Sequence, residues 1–262
     1  MPALQNAQSV YGWYSTGHWV MFNPITHETL MSSFPIHEKE DFSGGFVEKV
    51  ITNENTVARW SVVETDLNAA IVVETDETVC QLTLDSDDIT ELAALYWGDQ
   101  EALDINKGLV IEWRATFSVL PTVGGGTENV HAVMGVAGAH NAASDTIDMN
   151  AWFRVEAAAN TALVWETDDN TINDDDNAVS PTIVLVAGTY NVYRIDFTDL
   201  TAVKFYVDNV LVGTAPATAF AAVGVTISKC QPYFRISKVK SAANTGVGTM
   251  KIDYILWMQN RS

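Results

Sequence analysis

The 262-residue chain carries 33 acidic against 14 basic residues, a formal net charge of −19, and is 47% hydrophobic. That length fits one large all-β domain with room for a short extra arm, while the acidity argues against a nucleic-acid partner, which needs clustered Lys and Arg. No stretch approaches 18 consecutive apolar residues, so no membrane partner is expected. Cys80 and Cys230 are too few for a disulfide framework, and with no charged-then-apolar leader both thiols are expected to stay free in a reducing cytoplasm, against the alternative of a Cys80–Cys230 bridge.

Residues 1–37 are expected to form an extended, aromatic-rich arm ahead of a sandwich domain at 38–262. The arm holds Tyr11, Trp13, Tyr14, Trp19 and Phe22, but Gly12, Gly17, Pro24 and Pro35 interrupt any helical or strand periodicity. These five aromatic residues are the candidates for partner binding, because aromatic side chains are rich in interface energy. The competing reading packs the arm on its own domain. His18, His27 and His37 are spaced too widely for any metal-ligand pattern.

Trp60–Val63, Ile71–Val73 and Val79–Leu84 read as strands separated by acidic turns. Ser86–Tyr96 starts with Asp87, Asp88 and Glu91 and ends in Leu92-Ala93-Ala94-Leu95-Tyr96, which suits a short helix with carboxylates at its N-terminus. Leu109–Leu120 alternates Leu109, Ile111, Trp113, Ala115, Phe117 and Val119 with Val110, Glu112, Arg114, Thr116 and Ser118, the pattern of a long half-buried strand. Pro121 and the Gly124-Gly125-Gly126 loop end it. Val130–Gly138 and Ala151–Glu156 read as further strands. Ala162–Trp165 leads into an acidic loop, Glu166–Asn177, where Asp168, Asp169, Asp174 and Asp176 are candidate calcium ligands against the plainer reading of a solvated loop. Thr182–Val186 is a continuous apolar strand, and 215–225 a connector.

Tyr190–Gly213 has the clearest local pattern. Tyr193, Ile195 and Phe197 share a face with Asn191; Val203, Phe205 and Val207 share another against Lys204 and Tyr206; and Asp208-Asn209 can close a tight hairpin. This meander, with Gln231–Ile236 and Gly248–Trp257, resembles the concanavalin A-like jelly rolls of laminin-G domains, legume lectins and beta-glucanases. The resemblance implies an all-β, two-sheet antiparallel jelly-roll sandwich in which an opening strand at Asp41-Phe42 lies beside the last strand. The inward set is then Trp113, Phe117, Phe153, Tyr193, Ile195, Phe205, Val207, Ile252, Tyr254 and Leu256.

In style the closing segment is similar to virion proteins of tailed bacteriophages. That resemblance implies a structural protein of a phage particle, a decoration or cement protein assembled in the host cytoplasm, bound to capsid or other virion proteins and homo-oligomeric as a trimer or dimer. The alternative is a glycan-binding, lectin-like module with Trp152, Trp165 or Trp257 as stacking platforms. Retaining beta-glucanases set their carboxylates on one strand as Glu-x-Asp-x-x-Glu. The nearest approach, Glu74-Thr75-Asp76-Glu77, puts Glu77 on the wrong pleat, so neither an enzyme nor a cofactor other than calcium is expected.

Overall fold

The computed structural model describes residues 11–15, 18–22, 36–40, 42, 60–65, 70–74, 79–124, 130–169, 173–179, 183–216, 219–220, 228–240 and 245–260. For 11–15, 18–22, 36–40, 70–74 and most of 173–178 it is the strand pairing that is described.

Two antiparallel sheets pack face to face. The first runs in the order β13 (Asn173–Ala178), β12 (Val164–Asp168), β11 (Asn150–Glu156), β10 (His131–Ala137), β17 (Lys229–Lys238), β7 (Glu91–Tyr96) and β4 (Ser61–Glu64), with the short β8 (Leu103–Asp104) also on β17. The second runs β16 (Val210–Thr214), β15 (Lys204–Val207), β14 (Asn191–Asp196), β9 (Val110–Val119), β18 (Gly248–Gln259), β6 (Val79–Leu84) and β5 (Ala70–Glu74), with β3 (Ile36–Glu40) also on β18. Helix among the described residues is limited to 3₁₀ turns such as Ile105–Lys107.

The alternation of β9 and β14 holds over most of their length: Ile111, Trp113, Ala115, Phe117, Tyr193 and Ile195 are buried between the sheets, whereas at the end of β9, where the register with β18 shifts, Val119 is exposed and Thr116 is buried. Trp113 stacks on Tyr193 at 5.7 Å and meets Phe153 and Phe234 of the facing sheet edge-on at 6.0 and 5.8 Å. Offset and edge-on contacts of this kind add to the apolar burial itself. The hairpin at Asp208 and Asn209 has φ of 49° and 66°, and Asp208 also ties back through Val192 N–H, which donates to its Oδ1 at 2.8 Å. Cys80 in β6 and Cys230 in β17 are both buried, and neither is in a disulfide. Burial first, then the charges of Glu101 and Asp104, holds the Cys230 thiol well above its ordinary pKa.

Several expectations are corrected. Tyr254 and Leu256 point outward, because a bulge between Ile252 and Tyr254 inserts one residue and hands the inward positions to Ile255 and Trp257. The expected helix at Ser86–Tyr96 ends as strand β7. Every residue of β7 is buried, since both of its faces are covered, and a doubly buried strand has the same unbroken apolar run as a buried helix. The acidic stretch after Trp165 is no open loop, for Glu166–Asp168 continue β12 and Asn173–Ala178 pair with it as β13. Of the expected strand at Thr182–Val186 the described residues, 183–186, hold a bridge from Ala162 to Val184, with Val184 and Val186 exposed. The strand beside β18 is Ile36–Glu40 rather than Asp41-Phe42. Phe42 is buried with φ of 52°, and Asp41 lies outside the described residues.

The arm also contains regular structure: β1 (Tyr11–Ser15) and β2 (His18–Phe22) pair with Tyr11 opposite Phe22, Trp13 opposite Val20 and Tyr14 opposite Trp19. The side chains of these five aromatic candidates, His27, Gly125, Gly126 and the side chains of Asp174 and Asp176 lie outside the described residues.

One end of the core is closed by a buried charge. The Lys238 ammonium, fully buried, donates its three N–H groups to the carbonyl oxygens of Asp85 (2.7 Å), Asp87 (2.6 Å) and Gly246 (3.2 Å). Glu91 Oε2 lies 3.3 Å from it, and Glu91 Oε1 has no hydrogen-bond partner. Burial first, then Asp85, pushes the Glu91 carboxyl up to about 7 against the pull of Lys238.

Candidate functional site on the outer face of the first sheet

Strand β11 sends Ala151, Phe153 and Val155 into the core, and Trp152, Arg154 and Glu156 to the opposite face. On β17 the same alternation puts Phe234 and Ile236 inside and Tyr233, Arg235 and Ser237 outside. Register then assembles the outer face: Trp152 lies opposite Glu166 and Gly135, and Tyr233 opposite Gly135 and Tyr96. Gly135 is required there, since a Cβ would come within 2.3 Å of the Ala151 carbonyl oxygen and 2.9 Å of Trp152 Cβ.

The connection from β10 to β11, residues 138–149, lies across this face as a strap. Ile147 packs into an apolar cluster with Leu92, Ala94, Tyr96, Val133, Ala137, Trp152 and Tyr233. Polar groups hold the strap down along its length. Arg235 donates to the carbonyls of Asn141 (3.0 Å) and Ala142 (2.6 Å), and its Nε to Ser237 Oγ (3.0 Å). His131 Nε2 is shared between Ser144 Oγ at 3.3 Å and Ser237 Oγ at 3.1 Å. Gln231 Nε2 donates to Gly138 O at 2.8 Å and to Asp99 Oδ1 at 3.0 Å.

At one end of the strap, rings stand in a row. His140 stacks on Tyr96 at 4.9 Å, its Nδ1 is 2.8 Å from the Tyr233 hydroxyl, and its backbone N–H donates to Asp99 Oδ1 at 2.6 Å. Tyr233 continues the row to Trp152 at 6.1 Å. Trp152 and Tyr233 are fully covered, Tyr96 is 8% exposed, and His140 is half-buried. Burial first, then Arg235, lowers the His140 pKa, and burial pushes the Tyr233 hydroxyl up to about 12. Both are therefore neutral at pH 7, able to donate or accept a hydrogen bond.

At the other end stands an ionic cluster. Arg154 donates to Glu156, to Glu166 at 2.9 Å and to Asp145 at 3.2 Å, and Trp152 Nε1 donates to the second oxygen of Glu166. Burial opposes the charge on Arg154, but Glu166, Glu156 and Asp145 outweigh it and raise its pKa. The face thus combines flat apolar rings with fixed donors and acceptors of both signs.

Of the three tryptophans expected as stacking platforms, Trp152 lies on this face beneath the strap. Trp165 and Trp257 are in the core, Trp165 stacked on Phe205 at 4.8 Å and Trp257 edge-on to Trp97 at 5.0 Å. Of the calcium candidates, Asp169 is buried and Asp168 half-buried beside Asn150 in the register. Among the described residues no group of three or more His, Cys, Asp or Glu is arranged to hold a metal. Sequence reading missed Tyr96, His140, Tyr233, Arg154 and Glu166. The available signal was polar side chains recurring at every second position of strands otherwise made of core residues, as in Trp152-Phe153-Arg154-Val155-Glu156.

No family model and no curated protein matches the chain. Solved structures do. An endo-acting O-glycanase of human gut microbiota superposes with a TM-score of 0.57 at 12% identity, covering 84% of this chain and 98% of that one. The laminarinase catalytic domain from Thermotoga maritima MSB8 gives 0.53 at 13% identity, with 88% and 99% covered. The metal-free Emp46p carbohydrate recognition domain gives 0.50 at 9% identity, with 86% and 95% covered. The fold is that of the concanavalin A-like lectin and glucanase jelly rolls, shared by enzymes and lectins alike. This overturns the expectation of a non-enzymatic chain: glycosidases are among the neighbours, so the missing Glu-x-Asp-x-x-Glu strand rules out only that one arrangement of carboxylates.

Proposed function

We propose that the chain binds a carbohydrate at the Tyr96–His140 end of the strap, where the outer face of the first sheet meets the surface. The observation that carries this reading is the stacked pair Tyr96 and His140 set beside the exposed Asp99, with Tyr233 and Trp152 fixing the pair from beneath the strap. Sugar rings offer C–H faces that pack on aromatic rings and hydroxyls that need fixed donors and acceptors, and mostly apolar sites with a few placed polar groups meet both demands. The fold neighbours support the carbohydrate reading over the expected place on a capsid, for which they offer nothing.

Titration of the chain with a panel of β-glucans, high-mannose glycans and mucin O-glycans, read by calorimetry and by tryptophan fluorescence, tests the proposal. At least one class is expected to bind, and Tyr96→Ala or Asp99→Ala to weaken it about tenfold or more. A reducing-end assay on the same mixtures registers turnover where binding leads to cleavage. Unchanged affinity in both variants would move the site elsewhere, and no binding across the panel would sink the reading.

A further inference from the structure

The outer face of the second sheet is built on different lines. Across the neighbouring strands β15, β14, β9 and β18, one row reads Tyr206, Arg194, Glu112, Leu256 and the next Lys204, Asp196, Val110, Met258. Oppositely charged residues set across from one another in a sheet ordinarily pair. Arg194 lies opposite Glu112 but turns away from it, with its guanidinium carbon 4.2 Å over the Tyr206 ring and Nη1 donating to Asn209 Oδ1 at 3.3 Å. Arg114 is occupied in the same manner, 4.4 Å over the Tyr190 ring and 2.6 Å from Asp253.

Among the described residues Glu112 and Asp196 stand in no ion pair, although Arg194 lies opposite the first and Lys204 opposite the second. Glu112 accepts the Tyr254 hydroxyl at 2.9 Å, and one oxygen of Asp196 accepts the N–H and hydroxyl of Thr198 at 2.9 and 2.6 Å. Among the described residues neither has a basic nitrogen within 4.0 Å. Between them lies a groove of about 320 Å³ whose remaining lining, apart from Arg194, is Val110, Leu256 and Met258.

We propose that this groove takes the side chain of a lysine presented by a partner polypeptide. The ammonium sits between Glu112 and Asp196, and its four-carbon stem lies along Val110, Leu256 and Met258. An ammonium has three donors, enough to serve both carboxylates, and its stem covers apolar surface while the head stays polar. A hydrated divalent ion fits worse, because calcium takes about six to eight oxygen ligands and the groove offers two carboxylates beside three apolar side chains. The formal charge of −19 draws basic protein surfaces toward the chain before any specific contact forms.

The test uses the whole chain and no glycan, so its outcome is independent of the carbohydrate reading. A lysine-rich peptide and the same peptide with every lysine acetylated are titrated against it at physiological salt. The unmodified peptide is expected to bind at least about tenfold more tightly, because acetylation removes the charge. Glu112→Gln with Asp196→Asn should erase that preference while the melting temperature holds, since both amides keep the oxygen that accepts from Tyr254 and Thr198. Should the pair of changes unfold the chain, Glu112→Gln alone gives the reading. Neutralising Asp87 and Asp88, which remove as much charge away from the groove, should leave affinity within about twofold. Equal affinity for the acetylated peptide, binding retained by the folded Glu112→Gln variant, or an equal loss on neutralising Asp87 and Asp88 each overturns the proposal.

Discussion

The two outer faces of the sandwich handle charge in opposite ways. On the first sheet Arg154 and Glu166 lie under the strap, with side-chain exposures of 16% and 4%. On the second, Arg114 and Asp253 stand at 43% and 25%. A buried ion is stable only while its partners stay in place, whereas an exposed one can lose its partner to water at little cost. The first face is therefore a fixed constellation, and the second is a surface whose ion pairs can exchange with water.

The sharpest way to break this contrast is Arg154→Ala. It strands Glu166 in a covered site and should cost about 3–5 kcal/mol in denaturant melts, with Arg154→Met combined with Glu166→Gln recovering part of the loss. If Arg154→Ala melts like the parent, the first face is not the sealed structure described.

Next comes Glu91. Its folded carboxyl stands at about 7 against an ordinary 4.5, so the stability that goes with its protonation is fully present below about pH 4.5 and is lost as pH rises through about 7. A shift of that size corresponds to about 3 kcal/mol at most. Melting temperature should fall between pH 6 and 8, and Glu91→Gln should flatten that part of the curve. A parent and variant with parallel profiles would remove Glu91 as the cause.

Gly135→Ala should cost roughly 2–3 kcal/mol, because the added carbon meets backbone at 2.3 Å and the strand must shift. It should also quench or displace Trp152 fluorescence. The smallest expected effect is on the second face, where Arg114→Ala should change stability by no more than about 1 kcal/mol and less at high salt. A larger loss there would erase the distinction between the faces.

Legibility in the sequence followed the same division. Strands with one face in the core and one in water, such as β9, β14 and β15, show period two in their residues and could be read directly. Strands covered on both sides could not. Glu91–Tyr96 lost its alternation because the strap hides its second face, and the helix reading followed from that. The bulge near Asp253 left no mark that residues alone could reveal, so Tyr254 and Leu256 were turned the wrong way. The site was harder still. Tyr96, His140, Tyr233 and Trp152 come from four separate segments, and only the pairing of β17 with both β7 and β10, together with the strap, brings them into one row. Trp152 was found among the candidates because tryptophan draws attention by type, while His140 had no neighbour in sequence to suggest its role.

Cys80 sits in the second sheet and Cys230 in the first, each enclosed by core side chains. A thiol so placed can react with a bulky reagent only after its own strand has come away from its neighbours. The molecule thus carries two internal clocks, one per sheet, and the rates at which they are modified under native conditions measure how often each sheet opens. Equal rates would mean the sandwich opens as a unit. Faster reaction at Cys80 would mean that the second sheet opens while the strapped sheet still holds.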